Sequence, residues 1–105
     1  MNKSQVIMVV KKYATVLDAR NIEARRDPGA TSPELRASHV RWMCDEVQRM
    51  LENYGSKADV LGVLGVETES DRSKLDKAMR WLGFIQGVFA ADGIMSVEQM
   101  KEDNR

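Results

Sequence analysis

The chain has 105 residues, 43% apolar and 30% charged, and its sixteen Lys and Arg balance sixteen Asp and Glu to a formal charge of zero. That length suits one small domain, and that balance excludes the strongly basic surface on which bulk nucleic-acid or membrane-surface binding relies. No apolar run approaches the roughly 18 residues of a membrane span, and the lone Cys44 forms neither an intramolecular disulfide nor a thiolate metal cage, which fits a reducing compartment.

The apolar run Val6 to Val10 is followed at once by Lys11 and Lys12 with no small-residue cleavage site, so no secretory leader is expected and the cytosol is the default compartment. From Ser4 to about Arg26, Val6, Val10, Tyr13 and Leu17 recur at four-three spacing, with Ile7 and Ala14 widening one edge of the stripe and Val9 and Val16 the other. This spacing predicts a helix; the β-branched stretch Val6-Ile7-Met8-Val9-Val10 offers a strand instead, but it does not alternate and the pattern runs too long. Both prolines, Pro28 and Pro33, fall in the break from Asp27 to Pro33.

A second helix is predicted over 33–54, with Thr31 or Ser32 as N-cap, Pro33 at the first helical position and Gly55 as its stop. Its stripe is Val40, Met43, Val47, Met50 and Tyr54, flanked by Leu35, Cys44 and Leu51. The segment 55–70 is apolar but broken by Gly62 and Gly65, and short helix, loop and docking segment all remain open for it. A third helix over 71–91, capped by Ser70, carries Leu75, Ala78, Leu82, Ile85 and Phe89 on one stripe and Trp81, Phe84 and Val88 on the next. Between Ala78 and Ala91 only Arg80 and Gln86 are polar, so this helix is expected to be central in the bundle or shared with another subunit. Asp92-Gly93 stops it, and Ser96 with Gln99 forms a capping-box signature for a short last helix over 97–103. The predicted fold is all-α: one domain of three main helices and a short C-terminal one.

Arginine meets tryptophan twice, as Arg41-Trp42 and Arg80-Trp81. An indole stacks on a base and a guanidinium holds a phosphate, so two such pairs facing one cleft suit a nucleotide-like ligand, with His39 assisting. The plainer alternative is packing tryptophans with salt-bridged arginines, since Arg41 has Asp45 at i+4 and Arg80 has Asp76 at i−4. Gly83 and Gly87 stand four apart in mid-helix, each costing about 1 kcal/mol of helix propensity, which predicts close packing of this face, with Phe84 and Val88, against a helix or a second copy.

His39 and Cys44 lie about 140° apart on their helix and cannot meet as base and nucleophile. One histidine leaves no ordinary zinc site, the acidic pairs Asp45-Glu46, Glu67/Glu69 and Glu102-Asp103 lack a partner base, and no phosphate-loop or dinucleotide fingerprint occurs. The expectation is a non-enzyme without metal or cofactor. Charge is uneven along the chain: residues 1–26 hold six basic and two acidic groups, 27–55 three and five, and 56–105 seven and nine. The basic first helix is thus able to dock on an acidic partner or on the acidic remainder of another copy, unless it is an ordinary solvated face.

The stretch His39-Val40-Arg41-Trp42-Met43-Cys44, then Lys77-Ala78-Met79-Arg80-Trp81-Leu82-Gly83-Phe84-Ile85-Gln86-Gly87-Val88 and Ser96-Val97-Glu98-Gln99-Met100-Lys101, resembles small bacteriophage and prophage accessory proteins ending in an Arg-Trp-Leu-Gly-Phe helix. The likeness covers roughly the last two thirds of the chain and departs in the length of the segment from Gly55 to Ser70. The resemblance implies a protein of the bacterial host cytoplasm, non-catalytic and oligomeric, in counter-defence, either sequestering a nucleotide signal or blocking a host protein. A virion structural or assembly role is the third expectation.

Overall fold

A computed structural model describes residues 1–52 and 69–104. Helix α1 spans Lys3–Ala19. It starts at a capping box: the Asn2 side chain accepts from the Gln5 N–H at 2.9 Å and the Gln5 side chain accepts from the Asn2 N–H at 2.7 Å. Every residue of the predicted stripe, Val6, Val10, Tyr13 and Leu17, is fully buried. The helix stops at Ala19 and does not run to about Arg26. Asn21 takes a left-handed conformation, φ 60°, the Ile22 N–H reaches the Leu17 carbonyl at 3.1 Å and the Asn21 N–H reaches Asp18 at 2.9 Å. This is the Schellman closure, in which a left-handed residue turns the chain and satisfies the last carbonyls; asparagine tolerates that conformation better than most.

Helix α2 spans Pro33–Glu52 and starts as expected, with the Ser32 hydroxyl accepting from the Leu35 N–H at 3.2 Å. Ala37, Val40, Met43, Cys44, Val47 and Leu51 are buried, whereas Leu35 is left exposed. The expectations for Tyr54, Gly55 and the segment that follows fall mostly outside the described residues. Helix α3 spans Glu69–Ala91, so Ser70 lies within the helix and does not cap it. Its end repeats the α1 device, with Gly93 at φ 70° and the Ile94 N–H bonded to the Phe89 carbonyl at 2.8 Å. Helix α4, Val97–Lys101, has the predicted capping box of Ser96 and Gln99, and a 3₁₀ turn, Glu102–Asn104, takes the place of its expected last residues.

The fold is the predicted all-α bundle. Helix α2 lies against both α1 and α3, and their apolar stripes merge into one core in which the Tyr13 and Phe89 rings meet, centroids 4.9 Å apart. The C-terminal turn folds back on α1 and α3: Met100 is buried, the Tyr13 hydroxyl donates to Asp103 at 2.7 Å, Lys12 pairs with Asp103 at 2.8 Å, and Gln86 and Asn104 bond through their amides. Lys12 of the basic first helix is therefore matched to an acid of its own chain. A second tie joins the start of α2 to the end of α3, where Arg36 makes a two-pronged bond to Asp92 at 2.8 and 3.0 Å. Among the described residues no helix is long and apolar enough to cross a membrane.

Candidate functional site: an aromatic seam between two helices

On the α2–α3 seam, a row of rings runs from His39 through Trp42 to Trp81. The His39 and Trp42 rings are stacked, with centroids 5.5 Å apart and planes at 21°, and Trp42 meets Trp81 across the seam at 6.1 Å. All three residues are half-buried, and Trp42 and Trp81 pack one side on the core while the other remains reachable from solvent. The row carries a cation on each indole. Arg26 lies 5.7 Å from the Trp42 ring centroid, and Lys77 5.4 Å from that of Trp81.

The chain holds Arg26 there by bonds on either side of it. The Arg25 N–H donates to the Ser38 carbonyl and the Asp27 N–H to His39 Nδ1, both at 3.0 Å, so the loop after α1 is tied along the first turns of α2. His39 thus accepts on Nδ1 and serves as a neutral ring. Burial pushes its pKa below the ordinary range and the Arg26 charge adds to this, while the Asp27 carboxylate opposes both. Lys77 needs no such anchor, because it sits one turn before Trp81 on the same helical face.

The two Arg-Trp pairs behave differently from the expected shared cleft: the tryptophans converge and the arginines do not. Arg41 turns to α1, donating to Asp18 at 2.8 Å and to Asp45 at 2.7 Å, with only 17% of its side chain exposed. Those carboxylates, the Asp18 bond foremost, raise its pKa further and already saturate its charge, so the hollow of about 330 Å³ beside it is not a phosphate site. Arg80 is exposed, and its predicted tie to Asp76 is not made; it has no hydrogen-bond or ion-pair partner among the described residues.

The cations of the seam are therefore Arg26 and Lys77, while Arg80, one residue before Trp81, is turned about 100° away along the helix. Lys77 was legible as an i−4 neighbour of Trp81; Arg26 was not, because only the Schellman closure of α1 and the bond to His39 bring it to Trp42. Cys44 faces the core, fully buried, and burial pushes its thiol up to about 12, so it is no nucleophile. Among the described residues no group of three or more His, Cys, Asp or Glu is placed to hold a metal ion. A small all-α bundle with a cation-flanked aromatic seam is the class that fold and site define. No family model, curated protein or solved structure matches the chain.

Proposed function

We propose that this is a non-catalytic accessory protein of bacteriophage type, acting in counter-defence by stoichiometric binding, and that its seam captures an anionic ligand with a planar ring, a nucleotide signal. The observation that carries the reading is the seam itself: three rings in a row and a cation resting on each indole. A cation on an indole marks an electron-rich face that solvent reaches, and at exposed sites such a contact is worth only about 0.5–1 kcal/mol. A base stacked on an aromatic ring is worth about 1–3 kcal/mol. Ligand entry then exchanges one contact for two: the base takes the indole face, and the displaced Lys77 or Arg26 makes a charge-assisted bond to phosphate. Nothing in this sequence of events breaks or forms a covalent bond. The acting unit is a homo-oligomer.

Tryptophan fluorescence tests the reading, since Trp42 and Trp81 are the only two tryptophans in the chain. Titration with linear and cyclic mono- and dinucleotides should quench emission at one equivalent per site, and Trp81→Leu should weaken binding about tenfold or more, as loss of one stacking contact requires. Absence of quenching by every nucleotide ends the reading. A second reading, a blocker of a host protein, draws on the outer face of α1, where Met8 is 71% exposed beside Lys11. It predicts a one-to-one complex with a single polypeptide that is lost in Met8→Glu and kept in Trp81→Leu.

A further inference from the structure

The self-association proposed above has an address on α3. Along its outer face run Arg80, Gly83, Phe84, Gly87 and Ala91, spaced three and four apart so that they share one side, and all five are exposed. Phe84 stands out as a knob, 53% exposed, although the sequence pattern placed it with the apolar residues to be covered. Among the described residues outside the helix's own backbone, nothing lies within 4 Å of a Cβ built on Gly83 or Gly87, so none of the described helices makes the close crossing that these glycines predict. Each glycine instead opens a hollow of about 340 Å³. One, on the flank toward Met1 and Asn104, is lined by Met79, Leu82, Gly83 and Gln86; the other, on the outer face, by Phe84, Gly87, Val88, Ala91 and the paired Arg36 and Asp92.

Phe84 and the Gly87 hollow lie on the same face about one turn apart, which is the arrangement a two-fold pair needs: each patch must fit its own copy turned by half a revolution. We infer that two copies pair through antiparallel α3 helices about a two-fold axis that passes between Phe84 and Gly87. That axis sets Phe84 over the partner's Gly87 and Arg80 against the partner's Ala91. Every large side chain of the face then meets a small one. Arg80 has no partner among the described residues and arrives at the C-terminal end of the other helix, where Arg36 already pairs with Asp92 and the helix dipole supplies the attraction. A parallel pair would instead set knob on knob and Arg80 on Arg80. The register rests on the self-association reading, while the ligand reading of the seam is independent of it. From Arg80 to Ala91 the face is about 17 Å long, which places the contact at the small, exchanging end of the interface range.

The test is native mass spectrometry with light scattering over a range of concentration, combined with cysteine cross-linking. The wild type should pass to a two-chain mass as concentration rises, and Gly87→Leu, whose Cβ meets no described residue within 4 Å and whose side chain occupies the outer hollow, should remain one chain with an unchanged helical spectrum. Arg80→Cys mixed with Ala91→Cys should form a cross-linked pair on mild oxidation, since bridging needs Cα atoms within roughly 7 Å, and Arg80→Cys alone should not. Native Cys44 is buried and does not interfere. A single-chain wild-type mass at every concentration up to millimolar overturns self-association itself. A two-chain mass that survives Gly87→Leu, or cross-linking of Arg80→Cys with itself, overturns the antiparallel register and leaves self-association standing.

Discussion

Tyr13→Phe removes one oxygen from a fully buried ring and leaves its shape and its contact with Phe89 in place. The hydroxyl makes two bonds: it donates to the Asp103 carboxylate at 2.7 Å and accepts from Gln86 Nε2 at 3.0 Å. A hydrogen bond to a charged group contributes about 1.5–3 kcal/mol and a neutral one about 1 kcal/mol. Both partners keep a second bond, Asp103 to Lys12 and Gln86 to Asn104, but the Asp103 side chain is only 10% exposed and water replaces little of what it loses. The net loss should be about 2–3 kcal/mol. At roughly 4–8 °C per kcal/mol for a domain of about this size, the melting temperature should fall by about 10–20 °C. Thermal and urea unfolding followed by circular dichroism measure it, and a double-mutant cycle with Asp103→Ala should return most of the loss as coupling. A loss below about 0.5 kcal/mol, or no coupling to Asp103, would refute the claim that the C-terminal turn is locked to α1 through this hydroxyl.

Three further outcomes follow from the same geometry. Gly93 sits at φ 70° with open space around it, so Gly93→Ala should destabilise by about 1–2 kcal/mol through backbone strain alone, read by urea unfolding. Stability should plateau between neutral and mildly alkaline pH. Below about pH 6.5, the ordinary histidine value, it should fall as unfolded His39 binds the proton that the folded ring, held low by burial, refuses. Asp92, held below the usual carboxylate range by its bonds to Arg36, extends the acid loss: its contribution is present above the ordinary carboxylate pKa and disappears as pH falls through the depressed one. On the alkaline side the buried Cys44 thiol, raised to about 12, gives up its contribution as pH climbs through the range between its unfolded and folded values. His39→Gln should remove the near-neutral part of the acid shoulder; an unchanged shoulder would contradict its assignment. A thiol reagent at pH 8 should label Cys44 only at the rate at which the chain opens, and fast labelling of the folded protein would contradict the burial.

The sequence made the core of this bundle readable because burial follows helical spacing: Val6, Val10, Tyr13 and Leu17 are a stripe in the sequence and are all fully buried. Local stop and start chemistry was readable where it used common residues, as with Gly93 and the Ser96–Gln99 box. It was not legible where asparagine stands in for glycine at Asn21, so the spacing carried α1 past its end, nor at Asn2, the N-cap that precedes the first predicted helical residue. The candidate site was half legible. Trp42 and Trp81 meet as their shared motif suggests, but tertiary pairing decided the arginines: Asp18, more than twenty residues from Arg41 in sequence, claims its guanidinium, and a loop anchored on His39 delivers Arg26 instead.

The central claim is that the seam of His39, Trp42 and Trp81 is a ligand site and not packing alone. Two tryptophans give two indole N–H signals in a nitrogen-proton correlation spectrum, each a reporter on one half of the seam. On titration with the nucleotide panel, both signals should move together along one saturation curve, and the movement should weaken as salt rises because Arg26 and Lys77 contribute charge. If neither indole signal shifts with any nucleotide up to millimolar concentration, the seam is an interhelical packing contact and the proposed capture does not occur.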